Sequence, residues 1–279
     1  MIKTLQNELW LCSGTVAQAG YRELVECARV AGFDGISLWR SHYKAAVSEG
    51  LSLNDMKLLL DDNGLKVTEL DALLTLIPGN KHYKPEPPMV KYDPSFYLDV
   101  ASALGARSIN VVQMYGPQIP SLEAAEIFSE FCIRAQLNNL LATIEFFPAS
   151  GIPNLLSATE IVAAADQCNG GINFDTWHFH RSGGAIQDIR ILNADIIKTV
   201  QISDAGAEPW KDITAETLAN RLIPGEGVIT LHSIIAELRS IGCTVPLSIE
   251  VFNKSFSAMP VAEVIQKQAE ALRKFIESQ

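Results

Sequence analysis

Four oxygen-bearing side chains each stand near the end of a short apolar segment of the chain: Glu145, Asp175, Gln201 and Glu250. Each segment has the length and composition of a buried strand. When parallel strands close into a barrel, their carboxyl ends meet at one mouth. Three carboxylates and one amide oxygen suit a hard divalent cation, Mn²⁺ or Mg²⁺ first and Co²⁺ or Zn²⁺ as alternatives. These four residues are therefore the predicted ligands of one metal ion.

The two glutamates stand in matching apolar surroundings. Glu145 belongs to the sequence IEFF, and Glu250 belongs to SIEVF. Because a lone buried carboxylate is strongly destabilising, each must bind a metal or pair with a cation. A buried salt bridge is the alternative, although the first cation after Glu250 is Lys254, beyond the end of the segment.

The densest group of functional side chains is the sequence DTWHFHR at 175–181. If this segment is a strand, Asp175 points into the mouth of the barrel and His178 begins the following loop. His178 could then ligate the metal, orient a bound water or transfer a proton, whereas a lone histidine is often only structural. Arg181 is a candidate to hold an anionic substrate group, with a solvated loop arginine as the alternative.

Arg221 precedes the sequence LIPGEG in a long loop. It is a candidate clamp for a phosphate or hydroxyl group, with a surface ion pair as the alternative. Recognition of a phosphate would require Arg181, Arg221, Lys81 or Lys84 to point inward. Asp204, at the start of the same loop, would stabilise the loop or support a metal ligand.

The other half of the pocket is expected to come from the first four strands. Five residues fall at or just after their ends: Trp10, Trp39, His42, Asp71 and Gln113. The predicted substrate contacts are His178, Arg181, Arg221, Trp39, His42 and Gln113.

Eight strand-like segments recur along the chain, most of them separated by amphipathic stretches of helical length. They are residues 7–13, 34–39, 65–74, 107–114, 140–147, 170–178, 196–205 and 246–252. Glycines that can end a helix stand just before strands, at Gly32, Gly64, Gly105 and Gly242. Such alternation implies parallel pairing and predicts an α/β fold, a (β/α)₈ TIM barrel over residues 1–279 as a single domain. An open doubly wound sheet is the alternative, but no Gly-x-Gly-x-x-Gly sequence follows the first strand.

Two long loops interrupt this pattern, at residues 75–94 and 204–227. Both follow strands, so both should overhang the mouth of the barrel, where long loops usually bind ligands. The alternative is that they only cover hydrophobic edges. In the first loop, Tyr83, Pro87 and Met89 suggest either a subunit contact in a homo-oligomer or packing within the chain.

The composition argues against several classes of protein. The chain has 279 residues, of which 48% are hydrophobic, and its formal net charge is −10. This charge disfavours nucleic acid and anionic membranes as partners. The five cysteines are scattered, which argues against a disulfide framework or a zinc ribbon. Since neither a signal peptide nor an apolar stretch of ~20 residues is recognisable, we expect a cytoplasmic protein.

Five short sequences together resemble the xylose isomerase-like barrel superfamily: IEF at Glu145, DTWH at Asp175, VQISD at Gln201, PGEG at 224–227 and IEVF at Glu250. The resemblance extends over essentially the whole chain. It implies that the four predicted ligands bind one divalent metal, that the two glutamates act as acid and base, and that His178 contacts substrate or a metal-bound water. Gln201 stands where many members have histidine, which weakens the expectation of zinc. The nuclease branch needs further histidines after the third and fourth strands, where this chain has LDALL and VVQMYG.

The resemblance implies an isomerase or epimerase of a small sugar or keto-sugar, phosphorylated or free. One glutamate would remove a proton beside the carbonyl, the metal would stabilise the enediolate, and the other glutamate or His178 would return the proton. The first alternative is a dehydratase that shares this step and acts on an inosose, a 3-dehydroshikimate-like compound or a 3-keto-sugar. The second is a barrel that binds a sugar without turning it over, which predicts a missing acid/base group.

Overall fold

A computed structural model of the protein describes residues 7–79, 93–114 and 116–279, and within them eight parallel strands close into a barrel. The strands are β1 (Leu9–Leu11), β2 (Gly35–Trp39), β3 (Lys66–Leu73), β4 (Ser108–Val112), β5 (Leu141–Glu145), β6 (Gly170–Asp175), β7 (Ile197–Ile202) and β8 (Leu247–Ile249). Each strand pairs with the next along the chain, and β8 pairs with β1. The predicted TIM barrel is confirmed, and the doubly wound sheet is excluded.

Helices connect the strands on the outside of the barrel. In the described residues they are α1 (Tyr21–Ala31), α2 (Arg40–Ser48), α3 (Leu53–Asp62), α4 (Pro94–Leu104), α5 (Ser121–Gln136), α6 (Leu155–Ala165), α7 (Thr176–Arg181), α8 (Ile186–Arg190), α9 (Ile213–Ala219), α10 (Leu231–Ser240) and α11 (Val261–Glu277). Short 3₁₀ turns lie at Ser13–Val16, Ala194–Ile196 and Lys254–Ala258. Among the described residues, none of these helices combines the length and the apolar composition that a membrane span needs.

Local sequence explains where several helices begin and end. The four glycines predicted to end helices all have a positive φ, between +64° and +99°. A side chain is strained in this left-handed conformation, so glycine is favoured there. At the other end, Ser52 and Asp55 form a reciprocal capping box that starts α3, and the Asp93 carboxylate caps α4.

The interior of the barrel is polar, whereas the apolar side chains of the strands pack with those of the helices. Glu69, which is 2% exposed, accepts a hydrogen bond from the Thr199 hydroxyl at 3.3 Å, and the hydroxyl oxygens of Ser108 and Thr143 lie 3.4 Å from the same carboxylate oxygen. Burial, with the nearby Asp71 carboxyl, raises the pKa of Glu69 well above its usual value. This glutamate therefore lies inside the barrel as a hydrogen-bonded polar group rather than as a freely solvated charge.

The segment after β6 differs from the prediction. Asp175 is both the last residue of β6 and the N-cap of α7, because its Oδ1 accepts a hydrogen bond from the backbone N–H of His178 at 2.8 Å. Trp177 and His178 are therefore helical, not strand and loop. The predicted loop 204–227 contains α9. Five residues discussed for the other long loop lie outside the described residues: Lys81, Tyr83, Lys84, Pro87 and Met89.

Candidate active site

The four predicted ligands converge at the carboxyl end of the barrel. Glu145 ends β5, Asp175 ends β6, Gln201 is the penultimate residue of β7, and Glu250 directly follows β8. None of these residues is more than 6% exposed. Ligand atoms of Glu145, Asp175 and His178 all lie within 4.8 Å of one another. The fold thus brings together acidic groups that lie on separate strands.

Arg221 lies among these acidic groups and is only 1% exposed. Its Nη1 is 2.7 Å from Oδ2 of Asp175 and 2.8 Å from Oε2 of Glu250. Its Nε and Nη2 donate to the carbonyl and the hydroxyl of Thr217 at 3.1 and 2.9 Å. The guanidinium also lies over the Phe252 ring, 4.8 Å from the ring centre. The alternative of a surface ion pair is therefore excluded.

The loop that carries Arg221 is held in place by Asp204. The Asp204 carboxylate accepts hydrogen bonds at 2.9 to 3.0 Å from four backbone N–H groups, those of Ala205, Gly225, Gly227 and Ile229. A Cβ at Gly227 would lie 2.3 Å from the Ala205 carbonyl oxygen, so the turn requires glycine. The backbone N–H of Arg221 donates to the Phe252 carbonyl at 2.9 Å, next to β8. Of its two predicted roles, Asp204 therefore has the one of stabilising the loop.

His178 contacts both a predicted base and the buried arginine. Its Nε2 is 3.1 Å from Oε1 of Glu145 and 3.2 Å from Nη2 of Arg221. One ring nitrogen can donate to the carboxylate or accept from the guanidinium, but it cannot do both at once. Nδ1 is buried and has no hydrogen-bond partner among the described residues. His178 is thus placed to exchange a proton with Glu145.

Asn110, on β4, orients the second oxygen of Glu145. Its Nδ2 donates to Oε2 of Glu145 at 2.6 Å and to Oδ1 of Asp71 at 2.9 Å. The Thr143 hydroxyl donates to Oδ1 of Asn110 at 3.0 Å, which fixes the orientation of the amide. Asn110 was not among the residues predicted from the sequence. Its signal was the alternation in β4, where polar Ser108 and Asn110 share the face that points into the barrel.

The carboxyl groups of this cluster differ in how readily they bind a proton. Burial raises the pKa of Glu250 well above its usual value, despite the opposing effect of Arg221. Burial acts in the same direction on Asp175, but the combined effect of Arg221, His178 and the hydrogen bonds to the carboxylate outweighs it and lowers the pKa of Asp175 to about 2. Burial and the nearby Glu145 raise the pKa of Asp71 to about 7. One guanidinium nitrogen therefore contacts a firmly ionised carboxylate and a readily protonated one.

A cavity of about 260 Å³ opens beside these groups. Its charged and polar lining includes Arg40, Asp71, Glu145, His178, Arg221 and Glu250. Aromatic and aliphatic side chains form most of the remaining wall, among them Trp39, Phe147 and Phe252. The volume lies just below the usual range for small-molecule sites, roughly 300–1,000 Å³. Trp39, Asp71, His178 and Arg221 thus lie where a substrate pocket was predicted.

Two residues expected in the pocket from the first strands lie elsewhere. His42 is fully buried, with Nδ1 3.1 Å from the Ser13 hydroxyl and Nε2 3.2 Å from the Val16 carbonyl. Burial lowers the pKa of His42 to about 4, so the ring is a neutral structural group. Trp10 donates to Glu8 at 3.0 Å. Neither side chain lines the cavity, and the interpretation of His42 as a substrate contact is corrected.

Arg181 and Gln113 also lie outside the lining of the cavity. Arg181 pairs with Glu216 at 2.6 Å and donates to the Gly206 carbonyl at 2.7 Å, so its guanidinium holds the loop after β7. Gln113 donates to the Pro78 carbonyl. Arg181 is therefore neither the substrate contact nor the solvated arginine that was expected, because Glu216 of α9 supplies a buried carboxylate.

Residues 25–275 match the family model described as xylose isomerase-like TIM barrel. The chain belongs to this family. The match includes all four predicted metal ligands, together with His178 and Arg221.

Relatives in this family catalyse different reactions. An inosose isomerase of Bacillus licheniformis is 26% identical over 149 residues, which are 53% of this chain and 52% of the relative. A 3-dehydroshikimate dehydratase of Pseudomonas aeruginosa is 26% identical over 245 residues, which are 85% of this chain and 37% of the relative. The chain thus spans about half, or less, of the length of these curated relatives. A crystal structure of IolI protein with a zinc atom has the same fold, with a TM-score of 0.85 at 20% identity and coverage of 97% of this chain and 98% of IolI.

The residues at the barrel mouth fit a divalent metal of the kind that this family implies. Glu145, Asp175 and Glu250 offer carboxylate oxygens, and Oε1 of Gln201 is buried with no partner among the described residues. An ion bound by both Asp175 and Glu250 would replace their hydrogen bonds to Arg221. A second group, Cys12 with Asp71 and Glu250, also lies within 4.8 Å. It fits less well, because burial raises the pKa of the Cys12 thiol, which lies 2.9 Å from Glu250 as a hydrogen-bond donor.

Proposed function

We propose that this chain is a divalent-metal-dependent enzyme that isomerises or epimerises a small sugar or keto-sugar by moving a proton beside the carbonyl group. The observation that carries the proposal is the position of Glu145 and Glu250, which line one cavity and lie at the ends of β5 and β8, separated by β6 and β7. Two carboxylates on different sides of a substrate are what a transfer to another carbon, or to the opposite face, requires.

The ion would be held by Glu145, Asp175, Gln201 and Glu250. This set of hard oxygen donors favours Mn²⁺ or Mg²⁺. When bound, the ion would supply positive charge that stabilises the negative charge developing on the substrate oxygens.

The protein's own residues would position and move the proton. Glu145 is fixed through both oxygens, by His178 at 3.1 Å and by Asn110 at 2.6 Å, so it meets the substrate in one orientation. We assign proton removal to one of the two glutamates, and its return to the other or to His178. Before the ion binds, Arg221 keeps Glu250 at the edge of the cavity through the 2.8 Å contact.

A dehydratase is the second candidate. A 3-dehydroshikimate dehydratase matches 85% of this chain, whereas the inosose isomerase matches 53%. Removal of the same proton would be followed by departure of a hydroxyl group from the adjacent carbon. A C–H and a C–OH bond would then become a C=C double bond and one water molecule, with no oxidant or reductant needed.

Replacement of the two glutamates tests the proposed function. Glu145→Gln and Glu250→Gln should each lower turnover by about 10²- to 10⁴-fold, the usual contribution of a positioned acid or base, while the circular dichroism spectrum is retained. Glu69→Gln is the matched control, because Glu69 is a buried glutamate outside the lining of the cavity. Near-normal turnover in both cavity variants would contradict the assignment.

A further inference from the structure

Asp71 is a third carboxyl group in the lining of the cavity, and the proposed proton transfer does not use it. It lies in β3 and is 3% exposed. It does not belong to the proposed ligand set, so a divalent ion held by Glu145, Asp175, Gln201 and Glu250 would leave it as an additional acidic group. Burial of a carboxyl group lowers the stability of the protein unless the group is hydrogen-bonded or binds a ligand.

The two oxygens of Asp71 are held in fixed positions. Trp39 Nε1 donates to Oδ2 at 3.0 Å, and Asn110 Nδ2 donates to Oδ1 at 2.9 Å. Each carboxylate oxygen can accept two hydrogen bonds, and the described residues supply one to each. The remaining acceptor positions suit hydroxyl groups, which are hydrogen-bond donors.

The amide that orients Asp71 also orients Glu145. Nδ2 of Asn110 donates to both carboxylates, at 2.9 and 2.6 Å. A hydroxyl bound by Asp71 would therefore fix the substrate relative to Glu145. Such a contact positions the reacting carbon without taking part in the transfer.

The charges of the cavity disfavour an anionic substrate. The described lining carries three carboxyl groups, those of Asp71, Glu145 and Glu250. Of its two arginines, Arg221 donates to Thr217 as well as to Asp175 and Glu250, and Arg40 also has an interaction within the protein. With a divalent ion bound, the two charges of the ion and the two arginines would face four carboxyl groups, those of Asp71, Glu145, Asp175 and Glu250, so no positive charge would be in excess. A phosphate or carboxylate group would thus meet acidic side chains without an uncompensated cation to bind it.

The apolar part of the wall suits the carbon skeleton of a polyol. Trp39 and Phe252 both line the cavity and meet edge to face, with ring centres 5.3 Å apart. An aromatic surface packs against the C–H groups of a sugar or cyclitol, while carboxylates accept hydrogen bonds from its hydroxyls. Trp39 belongs to the apolar wall through its ring, and its N–H donates the hydrogen bond that holds Asp71.

We propose that Asp71 determines substrate specificity by accepting a hydrogen bond from a substrate hydroxyl, and that the substrate is an uncharged polyhydroxylated ketone rather than a phosphorylated or carboxylated one. This inference rests on the proposed function and adds the substrate class to it. Asp71 is a substrate-contacting residue in this account and not the acid or base of the reaction.

The test compares charged and uncharged ketones on Asp71→Asn and on the matched control Glu69→Gln. Both substitutions remove a buried acidic group from β3, but Glu69 does not line the cavity. The probes are D-fructose against D-fructose 6-phosphate, and an inosose against 3-dehydroshikimate. Binding is measured by isothermal titration calorimetry in the presence of Mn²⁺, and solvent deuterium exchange gives kcat and KM.

The expected result is that the wild-type protein prefers the uncharged member of each pair. Asp71→Asn should weaken its binding and raise its KM by about tenfold to a hundredfold, the loss expected for a hydrogen bond to a charged group, with kcat little changed. In Asp71→Asn, the ratio of affinities for the uncharged and the anionic probe should fall by a similar factor. Glu69→Gln should behave as wild type.

Three results would overturn the inference. The first is that the wild-type protein does not prefer the uncharged probes, because it binds the anionic ones better or binds none of the four. The second is loss of kcat at unchanged KM in Asp71→Asn, and the third is the same selectivity change in Glu69→Gln. Calorimetry needs no turnover, so the two proposals can fail separately. Asp71-dependent binding of an uncharged ketone without deuterium exchange would contradict the proposed reaction and support the role of Asp71.

Discussion

Nη1 of Arg221 lies 2.7 Å from Oδ2 of Asp175, and both side chains are almost completely buried. The same nitrogen lies 2.8 Å from Oε2 of Glu250. One internal cation therefore contacts two of the carboxylates that we propose as metal ligands. Because the pairs are buried, removal of the arginine would leave two acidic groups without a compensating charge.

Arg221→Met should therefore destabilise the protein in the presence of a chelator by about 3–5 kcal/mol, the usual cost of breaking a buried ion pair. Mn²⁺ should recover most of this loss, because a divalent ion bound by Asp175 and Glu250 supplies the missing positive charge. Urea unfolding with EDTA and with Mn²⁺ measures both effects.

Arg181→Met is the matched control for this experiment. Arg181 is also buried in an ion pair, with Glu216, and its guanidinium lies 5.7 Å from the centre of the Trp177 ring, close to the 5.3 Å of Arg221. Arg181→Met should lose stability by a similar mechanism, but Mn²⁺ should not restore it beyond the effect seen in wild type. Equal recovery in the two variants would show that the Mn²⁺ effect does not come from the Asp175–Glu250 pair.

The stability of the protein should depend on pH through His42. The folded-state pKa is lowered to about 4 by burial, from an ordinary value of 6.5. Between these values the unfolded chain binds a proton that the folded chain does not. This contribution to stability is therefore complete above about pH 6.5 and is lost as pH falls towards 4, at about 1.4 kcal/mol per pH unit.

His42→Asn should lack this slope. Denaturant unfolding of both proteins at several pH values from about 4 to about 8 gives the difference in stability as a function of pH. The variant is expected to be less stable than wild type near neutral pH and to approach it in acid. Parallel curves over the whole range would contradict a neutral, buried His42.

Asp204→Ala should release the loop that places Arg221. Four backbone N–H groups donate to this carboxylate, and leaving buried donors without an acceptor costs about 1–3 kcal/mol each. We expect a loss of at least about 3 kcal/mol and faster proteolysis within residues 222–229. Asp212→Ala, which removes only the N-cap of α9, should cost about 1 kcal/mol and leave that segment protected. Equal cleavage in both variants would refute the anchoring role of Asp204.

The sequence predicted the barrel and its acidic strand ends because both follow from local patterns. Alternation of apolar segments with amphipathic helices implies parallel strands, and Glu145 and Glu250 are conspicuous as acidic residues inside apolar segments. Asp175 was predicted near the end of a strand over 170–178, whereas it is the last residue of β6 and α7 begins at Thr176. The backbone N–H of His178 donates to the Asp175 side chain, three residues earlier, which is the usual spacing of an N-cap bond. The sequence contained this spacing, but residues 170–178 were interpreted as a strand.

The positions of the arginine side chains could not be predicted from the sequence, because each depends on how a loop folds. Arg221 and Arg181 were both predicted as substrate contacts. The turn around Asp204 places Arg221 at the cavity, whereas the ion pair with Glu216 holds Arg181 outside it. The shared amide of Asn110 likewise joins residues of three strands. Such contacts arise only when the barrel closes, so no local pattern contains them.

The central claim is that the protein removes a proton beside the carbonyl group of a small polyhydroxylated ketone, with the help of a divalent ion. Mass spectrometry of ketoses and inososes incubated with the protein in D₂O, with Mn²⁺ or with EDTA, tests it most directly. The account predicts Mn²⁺-dependent gain of solvent deuterium without change of composition, and loss of water in its place would select the dehydratase. Absence of both reactions across the panel, while the same compounds bind, would contradict the claim.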